Sequence, residues 1–202
     1  MAANEGYKLK SISATDASSN AVSLTSVDDT HRTFEMPASN VTVNAVFEDN
    51  NTTSTYVDIL NNSNTINATT SSYSDWLVAS TSTNSGAAYS GQSAGSYSSI
   101  QLRSSSNNSG VVTTTSGGKV KKIVVTWESN TASGRTLNIY GNNSAYSATT
   151  DLYDSSKQGD LLGTIVYGTS TELEISGDYA FIGFRSNSGA MYLSEVKITW
   201  EN

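Results

Sequence analysis

The sequence contains no cysteine and only one histidine and one proline among its 202 residues. The lack of cysteine excludes disulfide bonds, thiol catalysis and thiolate metal sites. Basic residues are also few: 11 Lys and Arg stand against 18 Asp and Glu, giving a net charge of −7. Such a chain repels nucleic-acid phosphates and anionic membranes. No stretch approaches the roughly 20 apolar residues of a membrane span, so we predict neither nucleic-acid binding nor membrane insertion.

Short polar residues dominate instead, since Ser, Thr and Asn together make up roughly two-fifths of the chain, far above ordinary usage. Their side chains compete with the backbone hydrogen bonds of helices and favour turns and solvent-facing strand positions. Val, Ile, Thr and Tyr fit a pleated, half-buried surface. With 36% hydrophobic residues, the composition predicts an all-β protein with polar loops and a modest core.

Residues 1–49 form the first predicted domain, a short β module. Residues 6–12 (GYKLKSI) and 41–47 (VTVNAVF) have the pattern of strands, and in the second every other residue is apolar. Pro37 interrupts the strand pairing between them. GYKLKS and MPASNVTVNAVF resemble the repeat modules of bacterial surface proteins related to the internalin B-repeat. This resemblance implies a spacing and presentation role at the cell surface without catalytic residues, and we expect this copy to be N-terminally incomplete, cut from a longer chain.

Residues 50–55 are a polar linker without hydrophobic periodicity, and residues 56–202 form the second predicted domain. Short strands separated by Ser, Gly and Asn turns predict an antiparallel β-sandwich of jelly-roll type. The predicted strands cover residues 56–60, 75–79, 99–103, 110–115, 120–128, 135–140, 162–167, 172–176, 179–185 and 192–201.

The stretches SIQLRS, KKIVVTW, TLNIYGN and YAFIGFRSNSGAMYLSEVKITW resemble β-sandwich modules of large secreted and surface proteins from gut anaerobic bacteria. That resemblance implies an extracellular or cell-surface accessory module of the carbohydrate-binding kind. Its partners would be glycans and the neighbouring domains of a larger parent chain.

One phrase occurs twice, as RSSSNNSGVVTTTSGGKVKKIVVTWE and as RSNSGAMYLSEVKITWE. Each has a Ser-Gly turn and ends on a strand closing with Thr-Trp-Glu. One interpretation is a hairpin-like unit that supplies similar inner surfaces to both halves of a sandwich. The other is chance similarity among strands of a Ser-rich chain. In both cases Trp127 and Trp200 share parity with Val and Ile, which predicts core packing.

Catalysis has little support in the sequence. His31 lies far in sequence from any candidate nucleophile, and no G-x-S-x-G elbow accompanies the many serines. A glycosidase needs two suitably spaced carboxylates, for which Asp58, Asp75 and Glu195 are among the candidates, but strand-end acids are the ordinary interpretation. We therefore predict a non-enzymatic protein without a cofactor, while Asp151, Asp154 and Asp160 offer the hard oxygen ligands of a structural calcium.

Binding is the function best supported by the pattern. Sugar recognition pairs an aromatic ring with planar hydrogen-bonding groups. Alternation places one set of such residues on the outward strand positions: Gln101, Arg103, Asn138, Tyr140 and Arg185. Loops add three aromatic candidates, Trp76, Tyr146 and Tyr153. The sequence thus predicts a glycan-binding module, with a structural stalk or adhesion element that binds no small ligand as the alternative.

Overall fold

The computed structural model describes residues 3–28, 31–50, 53–78 and 83–202, with the side chains of Leu77 and Val78 left out. The chain divides into two compact units, Met1–Thr53 and Ser54–Asn202. The boundary between them falls inside the segment predicted as a linker, and each unit is described by itself.

In its described residues, the first unit contains two antiparallel strand pairs. Strand β1 (Tyr7–Asp16) pairs with β4 (Val41–Asp49), and the short β2 (Thr25–Ser26) pairs with β3 (Arg32–Thr33). Along β4 exposure alternates as the sequence predicts, with the apolar residues at odd positions the less exposed. Few side chains in this unit are fully buried, because a two-stranded ribbon offers only one shallow apolar face.

The second unit contains eleven of the strands in the described residues: β5 (Thr55–Asn61), β6 (Ser74–Val78), β7 (Ala88–Ser93), β8 (Ile100–Leu102), β9 (Gly110–Thr115), β10 (Lys119–Trp127), β11 (Thr136–Asn142), β12 (Asp160–Val166), β13 (Glu172–Glu174), β14 (Phe181–Ser186) and β15 (Met191–Glu201). Two short 3₁₀ segments, Ser96–Ser98 and Thr149–Tyr153, are the helical elements among them. Ten strands correspond to predicted ones, although position 79 of the second predicted strand lies outside the described residues. Strand β7 was not predicted, because its AYSGQS sequence lacks an apolar alternation.

These strands form two antiparallel sheets packed face to face as a β-sandwich. One sheet has the order β13-β10-β15-β5, with β8 also paired to β15, and the other has the order β12-β11-β14-β9-β7-β6. The chain passes repeatedly from one sheet to the other, as the connectivity of a jelly roll requires. The all-β fold class with an antiparallel sandwich is therefore confirmed.

The core lies between the two sheets and follows the alternation predicted from the sequence. Ile100, Leu102, Ile182 and Phe184 are buried in one cluster, and Trp200 joins them fully buried. Trp127 is only partly buried and packs against the edge of this cluster. Period-two alternation thus correctly identified the inward faces of these strands.

The repeated phrase supplies neighbouring strands of one sheet. The two Trp-ending strands, β10 and β15, pair antiparallel, with Val120 opposite Trp200, Val125 opposite Val196 and Trp127 opposite Leu193. The interpretation that each phrase serves a different half of the sandwich is therefore wrong. The two similar strands, β10 and β15, instead pair with each other, because each contributes an aliphatic inner face to the same sheet.

A carboxylate, Asp58, lies fully buried between the sheets. It accepts hydrogen bonds from the backbone N–H groups of Asn84 and Ser85 at 2.7 and 2.9 Å. It also accepts from the Ser85 hydroxyl at 2.5 Å and the Tyr89 hydroxyl at 2.8 Å, and the Trp200 Nε1–H donates to the Tyr89 oxygen at 3.0 Å. Four donors compensate the lost hydration of this charge.

Within the part of the chain that the structure describes, the helical segments lack the length and apolar character that a membrane-spanning helix requires.

Candidate functional site

The connection between β11 and β12 covers part of the outer face of the six-stranded sheet. Its 3₁₀ segment Thr149–Tyr153 carries Leu152, which is fully buried. Leu152 lies directly on two strand glycines, since a Cβ at Gly110 or Gly183 would stand 2.9 or 2.6 Å from its methyl carbons. Glycine at these positions is what allows the connection to approach the sheet so closely.

This cover buries three residues predicted as ligand-binding. Tyr140 is 4% exposed, Tyr146 2% and Asn138 7%. The Tyr146 hydroxyl donates to the Gln158 carbonyl at 2.8 Å, and the Asn138 amide donates to the Tyr140 hydroxyl at 3.2 Å. The alternation correctly predicted that Tyr140 and Asn138 point away from the core. The inference that they are open to a ligand is wrong, because both are buried, and Leu152 and Tyr146 cluster with Tyr140.

Trp76 is also buried, with 6% of its surface exposed. It lies on β6 rather than in a loop, and its ring stacks closely over Gly91 on the inner face of the sheet. Its Nε1–H donates to the Ser93 hydroxyl at 2.8 Å. Trp76 thus lies on a strand rather than in the predicted loop and packs mainly in the core, while part of it lines an open surface pocket together with Asp75.

Arg185, at the end of β14, lies half-buried at the outer surface of the cover. Its Nε–H donates to the Leu152 carbonyl at 3.1 Å. Its guanidinium carbon lies 4.7 Å from the Tyr153 ring centroid and 5.5 Å from that of Tyr140, within the range of cation–π attraction. Tyr153 is held in turn by a 2.6 Å hydrogen bond from its hydroxyl to the Ser109 carbonyl.

Arg103, just after β8, makes a similar contact with another tyrosine. Its guanidinium carbon lies 3.7 Å above the Tyr73 ring, and its Nε–H donates to the Ser106 hydroxyl at 3.0 Å. Burial raises the pKa of the Tyr73 phenol to about 12, while the positive charge of Arg103 opposes that shift. Gln101, two positions earlier on the same face, is 7% exposed.

The two arginines flank one short segment of chain. The Arg103 backbone N–H donates to the Ser109 hydroxyl at 3.1 Å, and a Cβ at Gly110 would stand 3.4 Å from the Arg185 Cβ. Burial raises the pKa of Tyr153, and both guanidinium groups act on that phenol in the opposite direction. We call Tyr73, Arg103, Tyr153 and Arg185 the arginine–tyrosine cluster.

The arginines of this cluster differ from the lysines of the chain in their partners. All seven lysines have a carboxylate oxygen 2.7 to 3.9 Å from the ammonium nitrogen. Among the residues that the structure describes, no carboxylate lies within 4.0 Å of Arg103 or Arg185. Their Nη groups likewise donate no hydrogen bond to those residues, so two positive charges stand at this surface without counter-ions.

Buried polar oxygens gather beside the same two arginines. They are the hydroxyl of Tyr73 and the amide oxygens of Gln92, Gln101 and Asn138. Asn138 pairs directly across from Arg185, and Gln92 lies across from Gly110. The Gln101 side chain is close enough to the Tyr73 hydroxyl to lower the pKa of that phenol, so the Gln92 and Asn138 oxygens are the buried acceptors left unsatisfied within the described residues, which is uncommon and destabilising.

An open pocket of about 520 Å³ lies next to the cluster on the outer face. Its lining combines short polar residues with apolar surface, and it comprises Asp75, Trp76, Ser90, Gly91, Asn108, Ala148, Thr149 and Thr150. The Asn108 amide oxygen accepts from the Ser106 hydroxyl that Arg103 also contacts. The pocket and the arginines therefore lie at the two ends of the Thr149–Tyr153 segment.

The predicted metal ligands do not converge on one point. Asp151 accepts from the Ser147 N–H at 2.6 Å, and Asp160 accepts from the Tyr179 hydroxyl at 3.0 Å. Asp151 and Asp154 share the Lys157 ammonium at 3.7 and 3.9 Å. Within the described part of the chain, no group of three metal-ligating side chains could hold an ion. The calcium interpretation of these three acids is thus not supported, because each acid is engaged by protein donors.

Sequence reasoning missed several residues of this region. Tyr73 precedes β6 without any alternating pattern, and Asn108, Thr149 and Thr150 lie in segments that read only as polar loops. The strand-interior glycine Gly183 was the available signal, because such a glycine often marks a close approach of other chain segments.

Comparison with protein-family models, with curated proteins and with solved structures gave no match. Any functional inference therefore rests on the site itself.

Proposed function

We propose that this protein is a non-catalytic glycan-binding module of a larger extracellular or cell-surface protein, and that the glycan lies on the outer face of the six-stranded sheet. The observation that carries the proposal is the pocket of about 520 Å³ beside the arginine–tyrosine cluster, whose lining includes both hydrogen-bonding side chains and apolar surface. Sugar rings present many hydroxyl groups, each of which both donates and accepts hydrogen bonds. A site that recognises them needs both kinds of partner.

The pocket offers both hydrogen-bond donors and hydrogen-bond acceptors. The carboxylate of Asp75 is exposed and accepts hydrogen bonds, and the Thr149 and Thr150 hydroxyls both donate and accept. The guanidinium groups of Arg103 and Arg185 supply planar donors at the adjoining edge. This arrangement supports a carbohydrate-binding module more than a structural stalk. A stalk needs no grouping of hydrogen-bond donors and acceptors around a pocket.

A glycan array with the intact protein tests the proposal. The array should identify at least one bound sugar, and Asp75→Ala should weaken that binding by about tenfold or more, as the loss of a hydrogen bond to a charged group commonly does. Asp178→Ala is the matched control, because that exposed carboxylate pairs with Lys119 at 3.1 Å and lies outside the pocket.

The control must leave affinity unchanged while the urea unfolding curves of both variants stay close to that of the parent. Absence of binding to every array sugar would overturn the proposal in favour of the structural stalk. Equal weakening by both substitutions would show that the glycan lies elsewhere.

A further inference from the structure

We propose that Arg103 and Arg185 together bind an anionic substituent, a carboxylate or a sulfate, of an acidic glycan. This inference rests on the proposed glycan binding and adds the class of sugar. Its starting point is that the two cations lack carboxylate partners in the described structure although the chain carries 18 acidic residues.

The geometry leaves the anion-binding edge of each guanidinium available. Each side chain is anchored through Nε, Arg103 to the Ser106 hydroxyl and Arg185 to the Leu152 carbonyl. The Nη groups therefore remain as donors, and a planar pair of such donors matches the two oxygens of a carboxylate or sulfate. Both side chains are half-buried, which strengthens their interaction with an anion relative to fully hydrated lysines.

The tyrosine rings fix both cations in place before a ligand arrives. Arg103 lies 3.7 Å from the Tyr73 ring and Arg185 lies 4.7 Å from the Tyr153 ring. Preorganised donors lose less conformational entropy on binding than mobile ones. The contact with a ring face also orients each guanidinium without neutralising it, as a carboxylate would.

The net charge of −7 means that binding of an acidic glycan depends on a local positive site. A chain of that charge does not attract polyanions as a whole, so binding of an acidic glycan requires a local site. Arg135, which also lacks a carboxylate among the described residues, donates to the Ser188 carbonyl instead and is not part of the cluster.

The test compares matched polysaccharides that differ only in charge. Polygalacturonate and its fully methyl-esterified form probe the carboxylate, and dextran sulfate and dextran probe the sulfate. We expect the protein to bind one acidic member at least about tenfold more tightly than its neutral partner, and Arg103→Gln or Arg185→Gln to remove most of that preference. Lys197→Gln is the control, since it removes an equal charge outside the arginine–tyrosine cluster, at a lysine that pairs with Glu195 at 3.0 Å.

A third variant neutralises the site without truncating an arginine. Asn138→Asp places a carboxylate directly across from Arg185 in the strand register, where opposite charges attract. We expect this nearly isosteric change to lower affinity for the acidic glycan while leaving the fold intact, as judged by the urea unfolding curve.

The outcomes separate the two proposals. Equal binding of acidic and neutral members, or equal loss with Lys197→Gln, overturns the anion site and leaves the glycan-binding proposal standing. Binding of no polysaccharide and no array sugar overturns both. Preference for dextran sulfate alone identifies sulfate, and preference for polygalacturonate alone identifies the carboxylate.

Discussion

Replacing Tyr89 by Phe removes one hydroxyl that serves two hydrogen bonds in the core. The hydroxyl donates to the buried Asp58 carboxylate at 2.8 Å and accepts from the Trp200 indole at 3.0 Å. Burial and the nearby Asp58 charge raise the pKa of Tyr89 well above its usual range, which keeps the hydroxyl protonated as a donor. The substitution leaves the carboxylate with three donors and the indole N–H with none.

The expected loss follows from these two bonds. A hydrogen bond to a charged group contributes about 1.5–3 kcal/mol, and a buried donor left unpaired costs about 1–3 kcal/mol. We therefore expect Tyr89→Phe to lower the free energy of unfolding by about 3–5 kcal/mol, a large part of the stability of an ordinary domain.

Urea unfolding followed by tryptophan fluorescence measures this loss, because all three tryptophans lie in the second unit. Tyr146→Phe is the matched control, since that hydroxyl makes one neutral bond, to the Gln158 carbonyl at 2.8 Å, which predicts a loss of about 1 kcal/mol. Losses of equal size in the two variants would refute the reasoning, because they would mean that the Asp58 charge and the indole N–H find other partners at little cost.

Two further predictions concern the cover and the cluster. Leu152→Ala should lower the free energy of unfolding by about 2–5 kcal/mol, as truncation of a fully buried leucine does, and a loss below about 1 kcal/mol would contradict the docking of Leu152 on Gly110 and Gly183. Burial raises the pKa of Tyr73 to about 12 in the folded protein, whereas the pKa in the unfolded chain is near 10. The protonated phenol therefore contributes fully to folding stability below about pH 10, and this contribution is lost as the pH rises through the folded pKa. The urea midpoint should therefore fall less steeply above about pH 10 in Tyr73→Phe than in the parent, and identical pH profiles would contradict this.

The fold was largely predictable because alternation is a local property. Each strand that buries one face repeats an apolar residue at every second position, and this placed Ile100, Leu102, Ile182 and Phe184 correctly in the core. Strand β7 was not predicted because its inner positions, Tyr89, Gly91 and Ser93, do not form a run of apolar residues. The Trp76 ring of the neighbouring strand occupies the space beside Gly91, and this contact joins two separate strands.

The candidate site was predictable only in part, for a related reason. Alternation states which side chains leave the core, but it does not state what covers them. Tyr140 and Asn138 do point outward, yet Leu152 packs above their strand because Gly110 and Gly183 leave room for it. That segment has no periodicity of its own, so its position depends on the complementary shapes of leucine and glycine across the sheet.

The net charge also predicts the partners of this protein only in part, because it does not indicate where single charges lie on the surface. It excludes general attraction to polyanions, but the local potential depends on which basic residues the sheet register neutralises. The register gives Lys122 two carboxylates, from Glu172 and Glu174, whereas it places Asn138 and Gly110 beside Arg185. An acidic chain can thus retain a positive surface site, because lysines such as Lys122 meet nearby acids while Arg103 and Arg185 meet tyrosines.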